Sequence, residues 1–187
     1  MLVSFGSIAQ QSIDLSTLWQ RYAFYAGGIS GLRSMNDSKH YTAQGEGTIE
    51  KYSYLTGEKV ATLLDVNFLA QEEDRVPTFD SYSLSNDEQW ALLETETDQI
   101  YRRSSKSVVY VVNLKSLQAT KIRPEKISNA TFSPDGEYVA YVMDNNLHIY
   151  DISEDVHIRI TSDGSFNHII NGATDWVYEE EFAIVKA

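Results

Sequence analysis

The chain has 187 residues, of which 42% are hydrophobic and 12% aromatic, so it is too apolar to be disordered and long enough to bury a core. Its 27 acidic and 15 basic residues give a net charge of −12, which argues against nucleic-acid binding because that requires a basic surface. The chain has no cysteine, which excludes disulfides and thiolate metal sites, and no apolar run long enough to span a bilayer.

The first residues have the character of a secretory signal. Residues 1–9 (MLVSFGSIA) are apolar and end in Ser7-Ile-Ala9, the small-x-small form that precedes signal-peptide cleavage. We interpret residues 1–11 as a signal-peptide remnant and expect a secreted or periplasmic protein. An ordinary apolar first strand is the alternative.

A short helical stretch follows at residues 12–22 (SIDLSTLWQRY). The pattern predicts one or two turns, with Asp14 or Ser16 as the cap. We expect its apolar face to pack in front of the first strand-rich unit; that face comprises Leu15, Leu18 and Trp19.

The rest of the chain contains a repeat of about 50 residues. Three turn aspartates, Asp37, Asp87 and Asp135, lie 50 and 48 residues apart, and short strands of alternating polarity follow each of them. The predicted strands include 47–55 and 59–64 in the first copy, 107–114 and 118–122 in the second, and 137–142, 147–152 and 156–160 in the third.

Four-stranded units that recur roughly every 40–50 residues are typical of a β-propeller. A β-sandwich is the alternative, but it has no reason to repeat a turn aspartate at a near-constant offset. A propeller usually needs about four to eight blades. We therefore predict an all-β fold: a partial β-propeller of about three four-stranded blades, in which residues 12–187 form the amino-terminal part of a truncated domain and a short helix carries an acidic motif.

The acidic motif is the stretch 175–182 (DWVYEEEF), which places four carboxylates beside aromatic rings. Thr174 or Asp175 can cap a short helix here. Successive helical residues point about 100° apart, so at most two of the three glutamates can converge on one ligand. Two carboxylates a few ångströms apart form a receptor for an ammonium group, whose N–H donors they can share.

Other interpretations of the triple glutamate are a solvated acidic face, a calcium site and a glycosidase acid–base pair. A calcium loop usually alternates oxygen ligands with a glycine for the bend, which this stretch does not do. Glycoside cleavage needs carboxylates about 5–10 Å apart across a sugar, an arrangement that adjacent helical residues provide poorly. The four histidines show no metal-ligand spacing, and we expect no metal and no cofactor.

Several segments resemble the dipeptidyl peptidase IV family of serine exopeptidases, especially its bacterial members: GLRSMND (31–37), HYT (40–42), YRRS (101–104) and NGATDWVYEEE (171–181). The last is by far the most specific. The resemblance implies that Glu180 and Glu181 bind the protonated amino terminus of a peptide substrate, while Glu179 points elsewhere.

The family also holds a substrate carbonyl with an arginine from an Arg-His-Ser-like segment that follows an aromatic residue. Arg102, after Tyr101, is the best match. Arg103 stands where the family has histidine, and residues 105–107 depart from the usual aromatic-Thr-Ala, so a slip of one residue stays open. The alternative for Arg102 is a surface cation on a strand.

An amine clamp of this kind would act as a ruler, because two extended residues span roughly 7 Å and only the second peptide bond would reach a nucleophile. By resemblance, the second residue would be proline or alanine, and the product a dipeptide. The family carries its Ser-Asp-His triad on an α/β-hydrolase domain with a G-x-S-x-G serine. This sequence has no such elbow, so we expect the chain alone to be inactive.

The expected partner is therefore a peptide with a free amino terminus, and the resemblance raises a homodimer of the full-length protein as a further expectation. Two alternatives stay open at this stage. One is a non-catalytic propeller that binds peptides or partner proteins, and the other is a truncated reading frame without independent function.

Overall fold

The computed structural model describes residues 13–26, 28–70 and 75–186. The predicted signal-peptide remnant, residues 1–11, lies outside this range. The described residues contain twelve strands: β1 (Arg33–Ser34), β2 (His40–Gln44), β3 (Thr48–Ser53), β4 (Lys59–Asp65), β5 (Ser81–Leu84), β6 (Trp90–Gln99), β7 (Ser105–Asn113), β8 (Ala119–Lys121), β9 (Ser128–Phe132), β10 (Tyr138–Met143), β11 (Asn146–Asp151) and β12 (Val156–Arg159). The helical segments are a π-helical turn (Ser16–Gln20), a 3-10 turn (Val66–Phe68) and the helix α1 (Trp176–Phe182).

The strands form three four-stranded antiparallel sheets, each built from strands consecutive in the chain. The first sheet contains β1–β4, the second β5–β8 and the third β9–β12. This arrangement confirms the predicted all-β class and the three blade-like units. Within the described part of the chain, no helix is long and apolar enough to cross a bilayer.

The turn between the first and second strands has the same geometry in all three sheets. The side chain of each turn aspartate accepts a hydrogen bond from the backbone N–H two residues on, at 2.9–3.1 Å. The next residue after each aspartate adopts a left-handed backbone, with φ of 57° at Ser38, 59° at Glu88 and 78° at Gly136. The repeat in the sequence is therefore a repeat of one local hydrogen-bonded structure.

The second sheet is buried on both faces. Neighbouring residues of β6 point in opposite directions: Leu93 packs in a cluster with Ile49 and Leu64 of the first sheet, whereas Leu92 packs with Val139 of the third sheet. All four of these leucine and isoleucine side chains are at most 1% exposed. A sheet covered by a similar sheet on each side is the packing expected of a propeller blade between its neighbours.

The helical segment before the first sheet differs in part from the prediction. Asp14 does cap it, because its Oδ1 accepts hydrogen bonds from the N–H and the hydroxyl of Thr17 at 2.6 and 2.7 Å. The expected apolar packing is wrong, since Leu15, Leu18 and Trp19 are 76%, 41% and 71% exposed. The segment closes with a bond from Arg21 N–H to the Ser16 carbonyl, five residues back, so these side chains do not gather on one buried face.

Candidate functional site

The acidic motif forms the short helix α1, and local hydrogen bonds define both of its ends. Asp175 is the N-cap, and its Oδ1 accepts from the N–H groups of Val177 and Tyr178 at 3.0 and 3.1 Å. The helix ends at Ala183, which has a left-handed φ of 58°. Seven residues are too few for a helix that is stable alone, so α1 depends on contacts with the sheets.

Glu179 supplies such a contact. Its side chain is 2% exposed, and its Oε1 accepts hydrogen bonds from the backbone N–H groups of Arg103 and Ser104 at 2.7 and 2.9 Å. Its Oε2 accepts from the Ser104 hydroxyl at 2.7 Å. Burial alone would raise the pKa of Glu179, but these bonds and the nearby Arg103 charge bring the pKa below its ordinary value. Glu179 is thus ionised at neutral pH and faces the loop before β7.

Glu180 points toward the same loop but meets a different residue. Its Oε2 lies 3.3 Å from Nε of Arg102, with side-chain exposures of 15% for Glu180 and 71% for Arg102. The two residues are distant in sequence. They meet because β6 and β7, the longest strands among those described, extend their hairpin loop to α1.

Glu181 is exposed and has neither a hydrogen-bond nor an ion-pair partner among residues 13–26, 28–70 and 75–186. Of the two carboxylates, only that of Glu180 is paired with the guanidinium of Arg102 within the described ranges, and Glu181, the next residue of the helix, adds a second acidic side chain that Arg102 does not contact. Arg103 has no ion pair with Glu180 or Glu181 among the described residues; its charge acts on Glu179, and it lines a cavity of about 190 Å³ together with Glu94.

The structure thus brings two of the three candidate site residues, Arg102 and Glu180, into contact, with Glu181 adjacent on the helix. Whether these residues bind substrate stays a prediction. Sequence reasoning missed Ser104, whose hydroxyl and N–H both bind Glu179. No sequence signal could have found that contact, because it joins positions 75 residues apart.

Two of the four histidines lie on neighbouring strands of the third sheet. His148 on β11 stacks on the ring of Tyr141 with centroids 5.2 Å apart, and His157 on the neighbouring β12 has its Nδ1 3.1 Å from the Tyr141 hydroxyl. Across the described ranges, no group of three or more acidic or histidine side chains is arranged to hold a metal ion.

Comparison with known proteins identifies the family. The model of the "Dipeptidyl peptidase IV (DPP IV) N-terminal region" matches residues 85–187, which is more than half of the chain. Among curated relatives, prolyl endopeptidase FAP of Bos taurus is 29% identical over 165 residues, covering 87% of this chain and 20% of the relative. Dipeptidyl peptidase 4 of Felis catus is 37% identical over 108 residues, covering 56% of this chain and 14% of the relative.

A solved structure supports the same family. The crystal structure of Porphyromonas gingivalis dipeptidyl peptidase 4 matches with a TM-score of 0.82 and 34% sequence identity, covering 95% of this chain and 26% of that chain. The chain spans about a fifth of the length of the first curated relatives that it matches. It belongs to the dipeptidyl peptidase IV family, and its three sheets correspond to propeller blades of that family's amino-terminal region.

Proposed function

We propose that this chain is the amino-terminal propeller portion of a dipeptidyl peptidase IV-like serine exopeptidase that releases Xaa-Pro and Xaa-Ala dipeptides. Its own task in that enzyme is to bind the free amino terminus of the substrate through Glu180 and Glu181. The observation that carries the proposal is the contact between Glu180 and Arg102, which places a cation and two carboxylates at the end of one short helix.

The charges at this place favour an additional cation. Glu180 and Glu181 carry two negative charges against the single positive charge of Arg102, so one ammonium group would complete the neutralisation. A peptide amino terminus has a pKa of about 8 and is charged at neutral pH. The Arg102 side chain is 71% exposed, so solvent screens its ion pair with Glu180, and the existing contact leaves Glu180 able to accept from a ligand.

Arg102 suits a second role toward the same ligand. The guanidinium contacts Glu180 through Nε, and among the described residues Arg102 has no ion-pair partner other than Glu180, which leaves donors on its two terminal NH₂ groups. A guanidinium carries five N–H donors, so these groups can donate to a substrate carbonyl oxygen. The amine and the carbonyl of one substrate peptide would then be held together, which fixes how far that peptide extends toward a nucleophile.

The proposal assigns the bond-breaking step to a serine nucleophile on an α/β-hydrolase domain outside these 187 residues. Residues 12–187 would then be the truncated amino-terminal part of the propeller, and the isolated chain would be inactive. It further treats residues 1–11 as a signal-peptide remnant, the enzyme as secreted or periplasmic, and the full-length form as a homodimer.

The test uses the full-length protein and an Xaa-Pro substrate with a chromogenic leaving group. Glu180→Gln and Glu181→Gln are each expected to lower kcat/KM roughly 30- to 1000-fold, because each removes a charged partner of the amine. This decrease corresponds to a loss of about 2–4 kcal/mol of transition-state stabilisation. Glu58→Gln is the matched control, since it removes the charge of an exposed glutamate in the connection between β3 and β4.

An N-acetylated version of the same substrate provides the second comparison. Its low kcat/KM is expected to be the same in wild type and in both variants, because it carries no ammonium group. Equal kinetics of Glu180→Gln, Glu181→Gln and wild type on the free-amine substrate would contradict the clamp. Absence of any peptidase activity in the full-length wild type would favour a non-catalytic, peptide-binding propeller.

A further inference from the structure

Glu179 is a buried acidic residue that the amine clamp does not use. Its carboxylate receives three hydrogen bonds, and all three come from Arg103 and Ser104. Two of the donors are backbone N–H groups, so the contact fixes the course of the main chain rather than one flexible side chain. The bonds span 75 and 76 positions of sequence and join α1 to the β6–β7 loop.

The anchored residues are direct neighbours of the proposed clamp. Arg102 precedes Arg103, and Glu180 follows Glu179, so the anchor lies immediately beside the contact between Arg102 and Glu180. Packing does not hold Arg102 in place, because its side chain is 71% exposed. The loop itself closes through bonds from the N–H groups of residues 100 and 101 to the Ser104 carbonyl at 2.9 and 3.3 Å.

We propose that Glu179 is a positioning residue, which holds the β6–β7 loop so that Arg102 stands opposite Glu180 and Glu181. The loop and the helix then form one rigid unit that binds the amine and the carbonyl of the same substrate. This inference rests on the proposed function, because it assigns Arg102 a contact with substrate.

An anchor with a purely structural role would act differently from a positioning residue. A structural anchor lowers activity to the same degree whether or not Arg102 is present. A positioning residue acts through Arg102, so removing Arg102 first should remove most of its effect. A double-mutant cycle between Glu179 and Arg102 separates these cases.

The experiment measures kcat, KM and amide hydrogen exchange in the full-length protein for Glu179→Gln, Arg102→Ala and the double variant. Glu179→Gln retains the side-chain size but replaces charge-assisted bonds by weaker neutral ones. We expect exchange at the Arg103 and Ser104 amides to become about tenfold faster. We expect kcat/KM for an Xaa-Pro substrate to fall about tenfold, mainly through KM, but less than about twofold when Arg102 is already alanine.

Ser104→Ala is the second variant, because it removes only the bond from the hydroxyl and keeps the charge of Glu179. We expect it to produce a smaller loss of kcat/KM, which likewise disappears in the Arg102→Ala background. Ser104→Ala also replaces Glu179→Gln in the cycle if Glu179→Gln does not fold. An equal loss with and without Arg102 would overturn the positioning role.

Failure of this inference can be told apart from failure of the proposed function. Unchanged kinetics in Glu179→Gln and Ser104→Ala, combined with impaired Glu180→Gln, would overturn the positioning role and leave the amine clamp intact. Unchanged kinetics in Glu180→Gln and Glu181→Gln as well would overturn both.

Discussion

The helix that carries the proposed clamp should depend on its cap. Asp175 accepts hydrogen bonds from Val177 and Tyr178, and α1 has only seven residues. Replacing a capping aspartate by alanine usually costs about 0.5–2 kcal/mol. Asp175 is exposed, so Asp175→Ala opens no cavity, and both lost bonds lie in the first turn. We therefore expect Asp175→Ala to lower the free energy of opening this turn by about 1–2 kcal/mol, which corresponds to roughly 5- to 30-fold faster opening.

Amide hydrogen exchange at Val177 and Tyr178 measures this opening directly. Asp175→Asn is the matched control, because asparagine caps about as well as aspartate and loses only the charge, worth about 0.3–1 kcal/mol at a helix start. A looser helix holds Glu180 less well, so KM for a free-amine substrate should rise in Asp175→Ala and much less in Asp175→Asn. Equal exchange in Asp175→Ala and wild type, or an asparagine variant as impaired as the alanine one, would refute this reasoning.

Three further predictions concern stability. Tyr82→Phe removes a hydroxyl that lies 2.7 Å from Thr42 Oγ1 and joins the first two sheets, so the free energy of unfolding should fall by about 1–3 kcal/mol in urea denaturation. Gly136→Ala should lower it by about 1–2 kcal/mol through its left-handed φ of 78° alone, because the added Cβ meets nothing closer than 3.7 Å. Burial lowers the pKa of His148 and His157 below 6.5, so unfolding free energy should decline as the pH falls below about 6.5.

A specific result would contradict each of these three stability predictions. Unchanged unfolding free energies in Tyr82→Phe or in Gly136→Ala would show that the hydroxyl bond or the backbone conformation is not as described. The sign of the pH effect follows from proton uptake: the unfolded chain binds protons at a higher pH than the folded one, which favours unfolding in acid. A free energy of unfolding that is constant or rises between about pH 7 and pH 5 would contradict the histidine environments.

The fold could be predicted where its determinants are local. The turn aspartates Asp37, Asp87 and Asp135 form hydrogen bonds within three residues of their own position, so each copy of the repeat encodes its own turn. The alternation of Leu92 and Leu93 between two clusters follows from the period of a strand. The exposure of Trp19 was not predictable, because it depends on a π-helical turn that an α-helical pattern does not indicate.

The candidate site could be predicted in its residues but not in its geometry. The motif and the family resemblance indicated Glu180, Glu181 and Arg102, and the structure adds that Arg102 meets Glu180. The contact of Glu179 with Ser104 depends on how far the β6–β7 hairpin extends, which no local pattern determines. Long-range hydrogen bonds of this kind require the packed structure.

The most direct test of the amine clamp is a crystal structure of the full-length protein with an Xaa-Pro dipeptide bound. The account predicts that the dipeptide's ammonium nitrogen lies about 3 Å from carboxylate oxygens of both Glu180 and Glu181, with Arg102 near its carbonyl oxygen. A dipeptide bound with its ammonium group away from both carboxylates, while Glu181 still faces solvent, would contradict it.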